Sequence, residues 1–287
     1  MELIFTYFMF NNLERKGATM KIEELHKILY DILCEIEKAC QKEHVQYMLG
    51  GGTMLGAVRH KGFIPWDDDA DICVWYSDYP AMRDALRAHL PEHLCLIEPM
   101  DLAPNFYDFV YRVVDTRYYW HSPTVEDEFY DNKQNHVCVD IFVVANGADS
   151  LKGINILAFK QKVLYGLAMG HRYPKLVEGT LLFRIIHNLF FFIGKKISIN
   201  KILKWQDAMF KKYSKSESKY CVITNDIPKY LGLPYRSSWF RGVVYMPFEE
   251  TMLPVQNGYH EKLSLQYGDY MNPPSNRDEY IQHMQCE

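Results

Sequence analysis

The stretch GGGTMLGAVRHKGFIPWDDDADI, Gly50 to Ile72, gathers glycines, cations and carboxylates within a few turns of chain. Its acidic end sets the local structure. Asp67, Asp69 and Asp71 alternate, and alternate side chains of an extended strand share a face. These three are therefore expected to project together, while Ala70, Ile72 and Val74 turn into a core. Pro65-Trp66 in front and Ile72-Cys73-Val74 behind bracket the aspartates with core-forming residues, which is not how a solvated acidic turn is built. Clustered carboxylates repel unless a cation neutralises them, and ligands that are all oxygen suit Mg²⁺ or Mn²⁺. A calcium loop of the EF-hand type fails here. Its sixth position would be Ile72 instead of glycine and its twelfth Asp78 instead of glutamate. A sugar-nucleotide glycosyltransferase also holds its metal with D-x-D, and the aspartates alone leave that option open.

The glycine end adds a second function. Gly51 and Gly52 leave backbone N–H groups open to an anion, and Thr53 is expected to cap the helix that follows, with the positive end of its dipole at the same spot. Arg59, His60 and Lys61 place cations between this cradle and the aspartates. Cradle, cations and carboxylates together suit a metal-bound diphosphate, whose phosphoryl oxygens the cations would stabilise.

Periodicity extends the reading in both directions. Apolar residues from Ile22 to Cys40 recur every three or four positions and predict an amphipathic helix, followed by a short strand Val45 to Leu49. A strand Ala70 to Trp75, a helix Tyr79 to Leu90, and strands Leu94 to Glu98, Phe106 to Tyr119 and His136 to Val144 follow. Beyond Gly147 helices are expected at Leu151 to Met169, Leu181 to Ile193 and Ile199 to Tyr213, and then an irregular, aromatic tail. The fold class is thus α+β, a mixed sheet with flanking helices plus a C-terminal helical section. Residues 20–147 form the catalytic core, residues 148–287 the helical section and a tail that completes the site, and residues 1–19 an extension ahead of a start at Met20. Leu181 to Ile193 is too short to span a membrane and carries Arg184 and His187, so it reads as a core helix in preference to an interfacial one.

Composition narrows the function classes. The 287 residues carry 32 Lys+Arg against 36 Asp+Glu, a net charge of −4 that lacks the basic excess of a nucleic-acid binder. The seven cysteines show no CxxC pair, and the chain shows no secretory leader, so a cytoplasmic protein with core thiols is expected. Lys195, Lys196, Lys201, Lys204, Lys211 and Lys212 make the helical section locally basic. A solvated face is the plain reading; weak peripheral contact with anionic lipid at the inner face of the cell membrane is the sharper one. Arg112 alternates with Val110 and Val114 on its strand, and it reads either as an exposed cation or as a ligand of the donor phosphate. Asp108 and Asp115 read as sheet-edge charges.

The run Gly50 to Ile72 resembles the signature of the LicD family, which includes the fukutin-related proteins, and YGDYMNPP, Tyr267 to Pro274, resembles that family's closing motif. The resemblance implies a nucleotidyltransferase-like fold of the polymerase-β type, with two carboxylates on one strand and a third on a neighbour holding catalytic metal. Asp69 and Asp71 match the pair, Asp140 in CVDIFVV matches the third, and Asp67 is left as an outer ligand or orienting group. It also implies transfer of phosphocholine, or a related phospho-alcohol, from CDP-choline or another CDP-alcohol to a glycan or lipid-linked sugar, as in modification of lipopolysaccharide, teichoic acid or capsule. A nucleotidylyl- or glycosyltransferase would share the metal site and cut the donor at another bond. After Phe142 the family continues with Pro and a further Asp, where this chain has Val143, Val144 and Ala145, and Gly50 stands where a bulkier residue is usual. Aromatic residues make up 15% of the chain. Trp66, the run Tyr118-Tyr119-Trp120, Tyr267 and Tyr270 are candidates for a cage around a quaternary ammonium group.

Overall fold

The computed structural model describes residues 20–175, 179–228 and 230–273. The 1–19 extension and Pro274 of the closing motif lie outside these residues. Helix α1 (Ile22–Lys42) buries the predicted apolar stripe, Leu25, Leu29, Ile32, Leu33 and Ile36 among it. Strand β1 (Met48–Leu49), helix α2 (Gly51–His60), strand β2 (Asp71–Trp75), helix α3 (Tyr79–His89), strand β3 (Leu94–Ile97), strand β4 (Tyr111–Tyr119), the short helix α4 (Val125–Phe129) and strand β5 (His136–Asn146) make up the first half. Helices α5 (Leu151–Ala168), α6 (Leu181–Lys195) and α7 (Ile199–Tyr213) follow. Most lie close to the expected positions; α4 was not expected, and β4 begins at Tyr111 instead of the expected Phe106.

The tail is not irregular. It folds into strands β6 (Tyr220–Ile223) and β7 (Tyr235–Arg236), a hairpin of β8 (Val243–Phe248) with β9 (Thr251–Gln256), and helix α8 (Tyr259–Tyr267). The main sheet runs β1-β2-β5-β4-β3, with β6 pairing on β5 and β7 on β6. Only the β2–β5 pairing is parallel. This is the α+β architecture the sequence predicts.

Alternation along β2 and β5 divides the molecule into two faces. Ile72 and Val74, with Val137, Val139, Ile141 and Val143, pack against α1 in the main core. Asp71, Cys73 and Trp75 therefore occupy the opposite face, as do Asp140, Phe142 and Val144. On that face Cys73 and Val144 pack with Cys221, Tyr235 and Phe240 from the tail. The tail thus covers the sheet face that carries the aspartates.

One helix departs from expectation. The Leu181 to Ile193 segment was expected in a core, but α6 buries only Phe183 and Gly194. Its close contact with α5 runs through glycines: a Cβ on Gly194 would collide with the Leu167 backbone, and one on Gly166 would press into the Phe190 ring. Small residues bring that side of α6 close to α5 and leave its other side outward.

Candidate active site

The β2–β5 register sets Asp71 directly opposite Asp140. Beside this pair, Gly50 ends β1, donates its N–H to the Asp71 carbonyl at 2.8 Å and caps α2. The first-turn N–H groups of Gly51, Gly52 and Thr53 have no acceptor within the helix, so α2 presents its positive end to the carboxylates. Gly51 sits at φ +40, and any Cβ there would strike the Asp71 carboxyl; a Cβ on Gly52 would strike that of Asp67. The glycines are needed to admit two carboxylates against the helix end. Thr53 is not the cap. It lies inside the helix, buried, and its hydroxyl accepts the Asp71 N–H at 2.8 Å, which ties the helix to the strand that carries the aspartate.

The approach to β2 is fixed from outside. His26 of α1 stacks on Phe63 at 4.5 Å and contacts the Asp67 carbonyl at 2.7 Å through Nε2. The tip of the β8–β9 hairpin holds the preceding turn: the Glu249 carboxylate accepts the Phe63 N–H at 2.9 Å and the Glu249 N–H donates to the Lys61 carbonyl at 2.8 Å.

The electrostatics are those of uncompensated negative charge. Burial, and then the charges of Asp69, Asp140, Asp67 and Asp226, holds the Asp71 carboxyl well above the ordinary carboxylate range. Burial, followed by Asp69 and Asp68, does the same to Asp67. Asp140 is also raised, chiefly by burial, with Arg112 opposing the rise. Arg112 is neither an exposed cation nor free to reach a phosphate. It is 11% exposed, its Nε lies 3.0 Å from Asp140, and its two terminal nitrogens pair with both oxygens of Asp108 at 2.9 and 2.7 Å. Arg112 stands opposite Asp140 in the β4–β5 register, so its fork fixes the Asp140 carboxylate from the neighbouring strand. Asp108 and Asp115 are not edge charges either. Both are buried and paired, Asp108 with Arg112 and Asp115 with Arg117 at 2.7 Å.

Of the predicted cations, Arg59 alone of the three approaches the carboxylates. Its charge acts on Asp67, and its Nη1 donates to the Tyr270 carbonyl at 2.7 Å. His60 stands edge-on to Trp66 at 6.0 Å. Lys61 is exposed and left-handed, closing α2 at the end away from the glycines, about 15 Å along the axis. The aromatic candidates also separate. Tyr119 lies on His136, four residues along β5 from Asp140 and so about 13 Å away, Tyr118 carries Arg117, and Trp120 packs on the main core. Tyr270 is buried, its hydroxyl 2.8 Å from His260 Nδ1. Tyr267 is different. It is 41% exposed, yet loss of solvent around its hydroxyl, and then Asp71, Asp67 and Asp69, drive that hydroxyl well above its usual value.

Two residues of the tail were not anticipated. Burial raises the Asp226 carboxyl to about 7, and its charge bears on Asp71. Lys262 is 1% exposed, its Nζ 5.2 Å from the Phe240 ring and 5.9 Å from that of Tyr235, and its charge offsets part of the rise at Asp226. Both reach the site only through tertiary packing; a single lysine in a short polar stretch of chain carries no local signal.

The donor set fits a hard divalent cation: every carboxylate here offers oxygen, and the negative charge exceeds what Arg59 and Arg112 supply. Among the described residues, no three His, Cys, Asp or Glu side chains already converge on one point. Asp140 is turned to Arg112. No helix among the described residues is long and apolar enough to cross a membrane.

Residues 44–163, which hold the glycines, the aspartates and Arg112, match the family described as LicD/FKTN/FKRP, nucleotidyltransferase domain. The chain is 28% identical to the lipopolysaccharide cholinephosphotransferase LicD of Haemophilus influenzae, over 94% of this chain and 98% of that protein. It is also 30% identical to an uncharacterized protein of Rickettsia prowazekii, over 45% of this chain and 38% of that one. The predicted signature, the α+β fold, the domain match over residues 44–163 and the near full-length similarity thus agree in what this chain resembles, the LicD family.

Proposed function

We propose that this protein is a metal-dependent phosphotransferase that moves phosphocholine, or a related phospho-alcohol, from a CDP-activated donor to a hydroxyl of a cell-surface glycan or lipid-linked sugar. The observation that carries the reading is the pairing of Asp71 with Asp140 across two parallel strands at the positive end of α2. The Haemophilus relative, named for cholinephosphate transfer to lipopolysaccharide, supports the choice of group and acceptor class.

In this reading a phosphoryl group of the donor lies at the first-turn N–H groups of Gly51, Gly52 and Thr53, with Arg59 beside it. Asp69, Asp71 and Asp140 would hold Mg²⁺ or Mn²⁺, with Asp67 outside them, and the ion would neutralise charge on the diphosphate. An acceptor hydroxyl attacks the β-phosphorus, the bond to the CMP oxygen breaks, and CMP leaves. The hydroxyl proton passes to a carboxylate, for which Asp140 is our candidate. Arg112 holds that carboxylate in line, and the Asp108 pairing shares the guanidinium charge so that Asp140 keeps its basicity.

The test is thermal stability and product analysis with CDP-choline in Mg²⁺. Binding to the folded state alone must raise Tm, and CMP must appear once acceptor glycan is added. Pyrophosphate release from CTP, with no CMP from CDP-choline, would overturn the assignment in favour of a nucleotidylyltransferase.

A further inference from the structure

Helix α6 is apolar on both sides. Phe183, His187, Phe190, Phe191 and Gly194 are buried or half-buried on its inner side, whereas Leu182, Ile186, Leu189 and Ile193 form a second stripe at i, i+4, i+7, i+11 that faces out. Leu181, Ile185 and Phe192 flank that stripe, and these seven side chains are 37–72% exposed. A helix on the surface of a water-soluble domain carries polar residues there. A contiguous apolar surface of this size marks a place where something docks.

Charge identifies what docks. Lys196 continues the outer stripe by one more helical step, Lys195 lies beside it, and both are exposed. From Leu151 to Tyr213 the sequence holds 12 Lys and Arg against two Asp and Glu, a local net charge of +10 in a chain of −4. We infer that α6 lies in the plane of an anionic phospholipid membrane, its outer stripe sunk into the acyl boundary and Lys195 and Lys196 on the head groups. At 15 residues the helix is too short to span and is of a kind that rests in the interface. A second copy of the chain fits this face poorly, since self-pairing would bring Lys195 and Lys196 of two copies together. The inference stands whether or not the proposed transfer reaction is right.

The experiment is co-sedimentation of the full-length protein, without nucleotide, with vesicles of phosphatidylcholine alone or with phosphatidylglycerol added. The protein should pellet with the anionic vesicles, lose binding as salt rises, and stay soluble with phosphatidylcholine. Ile185→Glu combined with Leu189→Glu and Phe192→Glu should weaken binding at least about tenfold with Tm little changed, because these side chains are more than half exposed. Lys195→Gln with Lys196→Gln should weaken it roughly tenfold at low salt and flatten the salt dependence. Failure of the wild type to pellet with anionic vesicles, or equal pelleting of the triple-Glu variant, would overturn the inference. So would a dimer that the triple-Glu variant abolishes in a protein that ignores vesicles; that result would assign the face to a second copy.

Discussion

Asp71 is held at a cost to the fold. It sits where burial and four other carboxylates raise its proton affinity, pressed against a glycine that has no room for a Cβ. Asp71→Asn removes the charge and keeps the shape. In metal-free buffer its Tm should exceed that of the wild type by a few degrees, corresponding to about 1 kcal/mol, while the Mg²⁺-dependent rise with CDP-choline is lost. A variant that is no more stable but still responds to donor would contradict this reading of the site. Gly51→Ala should lose both stability and response, since the alanine is strained at φ +40 and displaces the Asp71 carboxyl. Asp226 makes the pH dependence explicit. Its folded value near 7 lies above the ordinary 3.8, so the folded state binds the proton more tightly than the unfolded one. The stability this contributes is complete below about pH 4 and is lost as pH rises through 7. Asp226→Asn should therefore flatten the fall in Tm between pH 4 and 7 in chelator, measured against wild type, and melt higher at pH 8.

The strand pair β4–β5 shows how an element places chemistry. Its register alone brings Arg112 opposite Asp140, and the bidentate grip on Asp108 then fixes the guanidinium. Removing Arg112 leaves two enclosed carboxylates without their shared cation. Arg112→Met should cost about 3–5 kcal/mol by chemical denaturation, far more than the loss of an exposed pair such as Lys38–Glu35, which is worth about 0.5 kcal/mol. This placement was not legible in the sequence, because alternation states which face a strand residue takes and not which partner stands across from it. The helices up to α7, the short α4 apart, and the strands up to β5 were legible from period and flanking turns. The tail strands were not: β6 has four residues, β7 has two, and Pro247 and Pro254 lie within β8 and β9. Those prolines are tolerated because the hairpin is a separate two-stranded sheet. For α6 the difficulty was of another kind. An apolar helix in a core and one in a membrane interface share a composition, and only the surrounding packing distinguishes them.

The two ends of the described chain meet at the site. The glycines and aspartates lie within residues 50–71, whereas Asp226, Lys262 and Tyr267 come from more than 150 residues later, and Arg59 is tied to the Tyr270 carbonyl. Helix α8 has two separable roles in this closure. Leu263 is fully buried in the main core, so Leu263→Ala should lower stability by about 2–5 kcal/mol while the folded fraction still responds to CDP-choline. Tyr267 is half-exposed and the charges of the aspartates act on its hydroxyl, so Tyr267→Ala should leave Tm within a degree or two and act on the donor instead. If its ring holds a quaternary ammonium group, the loss for CDP-choline relative to CDP-glycerol is about 0.5–2 kcal/mol, roughly two- to thirtyfold in affinity. Equal weakening of both donors in a titration would mean that Tyr267 acts through its hydroxyl on the diphosphate end. The aromatic richness of the chain would then be packing, as the positions of Tyr118 on Arg117, Trp120 on the main core and Tyr270 in it already indicate for those candidates.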